Sequence, residues 1–255
     1  MIYIAVFILG AILGSYLNSW MWRVHEGAWK WGGRSVCVGC ARTLVWYENI
    51  PLVSFVWLKG RCRTCKIIIP KDYFLVELAT PLLLVGLTYF HLNIITFNPW
   101  HYFRDFLFAV ILIIVFVYDF KYKLILSGLT WAGVILALVI NHHLGMSIEG
   151  LALGAAVGGG FFLLQYLVSR GRWVGGGDAR LGCMIGALLG WPNIVVALFF
   201  SYIMGALVAV PLLVARKKNM NSEMPFGTFL AVGTFVTLLW GSAIVGWYLR
   251  LVGWN

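Results

Sequence analysis

The sequence predicts an all-α polytopic membrane protein of about eight transmembrane helices, with one small cysteine-clamped domain in a cytosolic loop. Three observations predict it: an apolar composition that a soluble globule cannot hide, basic residues confined to alternate loops, and a repeated cysteine pair in the largest of those loops.

Of the 255 residues, 62% are hydrophobic and 11% charged, and the mean hydropathy is +0.90. Such a chain has too few polar groups to cover a water-facing surface. Its apolar residues run continuously rather than alternating, which favours helices over a β-barrel. About 20 such residues cross roughly 30 Å of hydrocarbon, and the runs fall at 1–22, 73–92, 103–118, 124–140, 148–169, 179–189, 194–215 and 226–251. The sixth is short. The first lacks a basic segment ahead of it and is expected to be a retained span rather than a removed signal peptide. The chain therefore divides into a first transmembrane helix (1–22), a cytosolic loop domain (23–72) and a membrane domain of about seven helices (73–255).

Lys and Arg favour cytoplasmic loops. Nine of the nineteen lie in loop 23–72, including Lys30, Arg34 and Arg42. Lys121 and Lys123 follow the third span, Arg170, Arg172 and Arg180 the fifth, and Arg216, Lys217 and Lys218 the seventh. Only Arg104 and Arg250 fall on the other side, so span count and orientation support each other, with both termini outside. The net charge of +10 is then explained by orientation and contact with the lipid bilayer, and no nucleic acid is expected as a partner.

Cys37 and Cys40 form one C-x2-C pair, and Cys62 and Cys65 form a second after 21 intervening residues. This is the spacing of a four-thiolate zinc site, in which each pair aims two sulfurs at one tetrahedral ion. A reducing cytosol disfavours disulfides. With no open coordination position, the zinc is expected to be structural, folding a loop too small to form a core. Cys183 lies in an apolar run and reads as a packed bystander. The segment between the pairs, Trp46 to Phe55, mixes aromatic and polar residues and suits either the membrane interface or a binding surface.

The topology gives the acids their meaning. Asp119 ends the third span as it reaches the cytosol, and Asp178 begins the sixth as it leaves, so residues 59 positions apart share one membrane surface. Each alone reads as a solvated helix-end residue. Together they form a candidate pair, because two close carboxylates can share one proton and act as general base and general acid on a peptide bond. Gly175, Gly176 and Gly177 precede Asp178 and are expected to form a loop admitting an extended substrate, through positive torsions and close backbone approach. Helix polarity favours charge on Asp178, at a positive N-terminal end, and a proton on Asp119, at a negative C-terminal end. Glu77 sits about one turn inside the second span, where an acid is either functional or reaches back to the surface. Gly150, Gly154 and Gly158 recur every four residues, as in close helix packing.

These residues resemble the type IV prepilin peptidases over nearly the whole chain. The resemblance rests on Leu13-Gly14-Ser15-Tyr16-Leu17-Asn18, the two cysteine pairs, Glu48-Asn49-Ile50-Pro51-Leu52, Val76-Glu77-Leu78, Gly175-Gly176-Gly177-Asp178 and Pro225-Phe226-Gly227. It implies an aspartic endopeptidase of the bacterial inner membrane that removes the basic leader of type IV prepilins or pseudopilins at the cytosolic face, after a glycine. Asp119 and Asp178 match the catalytic aspartates. It also implies an S-adenosylmethionine-dependent N-methyltransferase acting on the new N-terminus, although no glycine-rich nucleotide loop follows a strand here. The chain departs from the family at Leu126-Ser127, where Pro-Asp is frequent. Two other classes are an ion or solute transporter using the paired acids, which would place them nearer the bilayer midplane, and a non-catalytic pilus-assembly scaffold.

Overall fold

A computed structural model of the chain describes residues 1–27, 35–215 and 224–253. Lys30, Arg34, Arg216, Lys217 and Lys218, read above as loop charges, lie outside the described residues. Regular structure within them is helical apart from two isolated antiparallel bridges, Val36 with Thr43 and Arg61 with Ile68. The helices are α1 (Ile2–His25), a 3₁₀ turn (Trp46–Asn49), α2 (Val53–Trp57), α3 (Lys71–Asn93), α4 (Pro99–Tyr122), α5 (Ser127–His143), α6 (Ile148–Ser169), α7 (Gly176–Leu189), α8 (Asn193–Val214) and α9 (Phe226–Leu251).

Each of the eight apolar runs forms a helix, but five of these, α1, α3, α6, α8 and α9, are long and apolar enough to cross a membrane. At 1.5 Å per residue, α5 and α7 extend about 25 and 21 Å, less than the roughly 30 Å of a hydrocarbon core. α4 is long, yet it carries Arg104, Asp105, Asp119 and Lys121 and is buried along much of its length. The chain is thus an all-helical, multi-pass membrane protein.

By their contacts the described residues form two compact units, Met1–Asn98 and Pro99–Asn255. The first unit keeps α1, the cysteine loop and α3 together because α1 packs on α3. A Cβ on Gly10 would stand 2.6 Å from Pro81 Cα, and one on Gly14 would stand 3.1 Å from Glu77 Cα. Buried Asn18 donates from Nδ2 to the Tyr73 carbonyl at 2.9 Å. Hydropathy finds helices but is blind to which of them touch.

Glu77 has a definite task within this unit. Its Oε2 accepts the Leu52 N–H at 2.8 Å. Leu52 has φ 62° and ψ −50°, and Val53 N–H donates to the Pro51 carbonyl across it at 2.6 Å. That is a γ-turn centred on a strained non-glycine residue. The carboxylate satisfies the amide that the turn leaves over, so the acid on α3 anchors the loop chain.

The second unit is built around α4 and α7. Phe108 and Leu112 of α4 and Met184, Ile185 and Leu188 of α7 share a core with Phe162, Ile194 and Leu230 of α6, α8 and α9. α6 and α7 approach until backbones touch. A Cβ on Gly154 would lie 2.5 Å from Gly186 O, and one on Gly158 would lie 2.2 Å from Gly182 O. Reciprocally, Cβ atoms on Gly182 and Gly186 would lie 2.4 and 2.0 Å from Gly158 O and Gly154 O. The packing expectation holds for Gly154 and Gly158. Gly150 differs, since its N–H is taken by the N-cap Ser147 at 3.2 Å.

The far end of α7 is closed by a side chain. Asn141 Nδ2 of α5 donates to the Ala187 and Leu188 carbonyls at 3.0 and 2.8 Å, satisfying orphan groups of the last turn. Its Oδ1 accepts from Arg104 at 3.0 Å, and Arg104 pairs with Asp105 at 2.7 Å.

The glycine contacts set a testable contrast. Gly158→Ala should lower stability by about 1–3 kcal/mol through overpacking, read as a drop in thermal midpoint in detergent. Gly160→Ala, two residues on and facing open space, should leave the midpoint unchanged or raise it slightly.

Candidate active site

Asp119 lies in the last turn of α4 and is only 4% exposed. Its Oδ2 accepts the Thr228 N–H at 2.8 Å and the Thr228 hydroxyl at 3.2 Å. Thr228 is the third residue of α9, after its N-cap Pro225. The carboxylate therefore satisfies an amide of the first turn that has no partner within its own helix. A Cβ on Gly227 would stand 2.9 Å from the same oxygen, so position 227 has room only for hydrogen.

Asp178 is the third residue of α7 and is 8% exposed. Its Oδ2 accepts the N–H of Gly175, the N-cap, at 3.0 Å, and the Asp178 N–H returns to the Gly175 carbonyl at 3.1 Å. The Asp178 carboxylate thus caps the N-cap amide as in a capping box, with the glycine carbonyl standing where a side-chain oxygen would be. The two carboxylates are close enough for the charge on Asp119 to act on Asp178. Asp178 acts in the same way on Tyr202 of α8, whose hydroxyl donates to Gln165 Oε1 at 3.0 Å.

The three glycines do not work as expected. None has a positive φ: Gly175 is an extended N-cap at φ −78° and ψ 154°, and Gly176 and Gly177 open α7. What matters at Gly177 is space, because a Cβ there would lie 3.0 Å from Ile125 Cβ. Ile125 also faces Gly227, where an added Cβ would lie 3.4 Å from its Cδ1. The turn after α4 thus wedges one side chain between the first turns of α7 and α9, the two turns that carry the donors to the acids.

Helix polarity does not separate the acids either. Asp119 stands at the C-terminal end of α4 as expected, but its carboxylate turns onto the N-terminal end of α9. Each acid therefore meets the positive end of a helix, and Asp119 has one donor more than Asp178. At the family departure, Leu126 is the N-cap of α5 and Ser127 Oγ accepts from Arg180, whose Nε also donates to the Gly176 carbonyl at 3.3 Å.

In the first unit, Cys37, Cys40, Cys62 and Cys65 lie with all four sulfurs within 4.8 Å of one another, and Cys37 and Cys65 are 3.7 Å apart. A tetrahedron of thiolates about 2.3 Å from an ion has edges of about 3.8 Å, so the cluster fits a metal ion. The N–H groups of Cys65 and Thr64 pull the Cys62 thiol down, while burial and the neighbouring sulfurs push Cys65 up, so the sulfurs are close enough to compete for charge that a cation would balance. Arg42 braces the same loop with a two-pronged contact to buried Glu48, at 2.8 and 3.0 Å. Glu48 also accepts the Val45 N–H at 3.0 Å. Cys183 is partly buried against the core of the second unit, apart from the cluster in sequence and unit.

Comparison with known proteins matches residues 8–91 to the bacterial peptidase A24 N-terminal domain and residues 106–210 to the type IV leader peptidase family. A prepilin leader peptidase/N-methyltransferase of Aeromonas salmonicida is 33% identical over 225 residues, covering 86% of this chain and 75% of the relative. The chain belongs to the type IV leader peptidase family. Relatives of the same name from Pseudomonas aeruginosa and Bacillus subtilis are each 31% identical, covering 97% and 96% of this chain and 93% and 97% of theirs. No solved structure matches it.

In this chain the cysteines fall within the first matched region and both aspartates within the second. Thr228, Ile125 and Tyr202 escaped the sequence reading. Pro225-Phe226-Gly227 pointed to the right turn, but Thr228 meets Asp119 across 109 positions, and no local pattern encodes that contact.

The Arg42 and Val45 donors hold the Glu48 carboxyl below its ordinary range. A depressed acid stabilises the fold above its unfolded value and loses that contribution as pH falls through the folded one. Hydrogen exchange at the Val45 amide should therefore be faster in Glu48→Gln than in the wild type at neutral pH. The difference should close only below the ordinary glutamate range.

Proposed function

We propose that this protein is a prepilin peptidase of the bacterial inner membrane that cleaves the leader of type IV prepilins or pseudopilins at the cytosolic face by an aspartyl mechanism. The reading adds methylation of the new N-terminus with S-adenosylmethionine. The observation that carries the reading is the meeting of Asp119 and Asp178, two buried carboxylates within each other's field, each held by the first turn of a helix. Family membership supplies the substrate class.

In this mechanism one carboxyl is ionised and the other protonated, and the pair titrates as a unit. Thr228's two donors support the negative charge on Asp119, the reverse of the order that helix polarity suggested. Asp119 then takes a proton from water as the water oxygen bonds to the scissile carbonyl carbon, and Asp178 gives its proton to the carbonyl oxygen. On collapse of the tetrahedral species the C–N bond breaks, the leaving amine takes the proton held by Asp119, and Asp178 recovers its proton from the hydroxyl that becomes the new carbonyl. Gly175 and Gly176 line the approach to Asp178 without a Cβ, while Gly177 makes room for Ile125. Thr228 and Ile125 are positioning residues.

The cysteine cluster is assigned to structural zinc, since four thiolates leave no place for substrate. α4, α5 and α7 are assigned to the membrane as well, giving eight helices with both termini outside, in line with the basic loops. A carrier role for the acids finds no support at Glu77, which anchors Leu52.

Purified protein in detergent, given a prepilin, should release the leader. Asp119→Asn and Asp178→Asn should each slow release by about 10²–10⁴-fold, and Thr228→Val by about tenfold with Thr228→Ser nearer wild type. Full cleavage by both Asn variants would end the aspartyl reading.

Elemental analysis should find one zinc per chain, largely lost in Cys37→Ser. Undiminished zinc in that variant would exclude the four-cysteine ligand set.

A further inference from the structure

The short helix α2 turns its apolar side outward. Val53, Val56 and Trp57 recur at the i, i+3, i+4 spacing of one helical face, and they are 58, 66 and 69% exposed. The protein covers the opposite face instead. Ser54 is buried there, and the Phe55 ring packs against Phe74 of α3 with centroids 5.1 Å apart. A surface helix in water carries the reverse pattern.

Height along α3 shows which medium the outward face meets. α3 is long and apolar enough to cross a membrane, and its apolar run begins at residue 73. Glu77, whose carboxylate accepts the Leu52 N–H at 2.8 Å, lies about 6 Å into that run at 1.5 Å per residue. Helices that lie in a bilayer interface sink their apolar face about 5–10 Å into the boundary between headgroups and acyl chains. The hydrogen bond to Glu77 therefore hangs α2 at interfacial depth. Phe74 and Leu78 of α3 line one open hollow with Leu52, Val53, Val56 and Trp57. Exposed Leu75 and Leu82 continue the same flank of α3 toward the bilayer centre.

Backbone that leaves helical geometry at this depth must find its hydrogen bonds within the protein. The chain does so: Leu52 donates to Glu77, Val53 to the Pro51 carbonyl at 2.6 Å, and Ser54 and Val56 to the Ile50 and Leu52 carbonyls, each at 3.1 Å. Just beyond the helix stand Lys59, Arg61, Arg63 and Lys66, all exposed, whose charges match anionic headgroups. Arg63 Cζ lies 5.8 Å from the centre of the Tyr47 ring, and Tyr47 tilts against Trp57 at 6.2 Å. Cationic and apolar parts thus join through an aromatic patch of the kind found at a membrane–water interface.

From this arrangement we infer that α2 is an interfacial foot: its outward face inserts into the leaflet on the loop's side of the membrane, among the acyl chains and headgroups of anionic lipid. The inference is independent of leader cleavage and methylation. It gives the aromatic segment from Trp46 to Phe55 a purpose. It gives Glu77 one too, since the acid satisfies an amide where water is scarce. Cys62, five residues after Trp57, is then tied with its cluster to the membrane surface.

The test is the fluorescence of Trp57 in the full-length protein, reconstituted in vesicles of phosphatidylcholine and phosphatidylglycerol and isolated as the difference between wild type and Trp57→Phe. That difference emission should be blue-shifted, should lose most of its intensity to lipids brominated on their acyl chains near the headgroup, and should resist aqueous iodide. Val56→Trp in the Trp57→Phe background puts an indole back on the same face and should restore the bromine-quenched component. Thermal midpoint and metal content matching the wild type show that each variant has folded. Emission at the wavelength of indole in water, quenched by iodide and spared by the bromines, overturns the inference. So does emission that neither quencher reaches, the result expected if protein rather than lipid covers the face.

Discussion

The bond from the first turn of α9 to Asp119 is the contact on which the rest of the site depends. A carboxylate withdrawn from water must find donors inside the protein, and a helix start has amides to give. Thr228 meets this need twice with one residue. Doing so brings α9 against α4 and requires position 227 to be glycine. It also leaves a space beneath the turn that Ile125 fills. Asp178 solves the same problem more locally through the amide of Gly175. The pair is therefore held by backbone geometry, and the wedge of Ile125 ties both arrangements to the turn that follows α4.

Much of this was legible because the relevant physics is local or is imposed by the bilayer. The limits of α6 and α9 were read without error from apolar runs, since lipid requires continuity. The cysteine cluster was legible because ligand spacing within each pair is a matter of a few residues. Both aspartates were singled out because each falls at the end of an apolar run, and each does lie in a terminal turn of its helix.

What escaped notice depends on packing between distant segments. Thr228 at Asp119, Gly10 at Pro81 and Glu77 at Leu52 are contacts between residues far apart in the chain. Nothing at either partner alone announces them. Of the two reasons for noticing the glycines before Asp178, the torsional one does not apply, because a sequence cannot tell a glycine chosen for its torsion from one chosen for its missing Cβ. Hydropathy likewise assigns a helix to the bilayer without saying which neighbour it prefers, and α3 prefers α1.

α7 is fastened at both ends, by the Gly175–Asp178 box at its start and by Asn141 at its close, and along its flank by backbone contact with α6. A helix held in this way is a fixed post, unable to slide like a piston along its axis. Asp178, in the first turn of that post, is thereby fixed relative to α5 and α6.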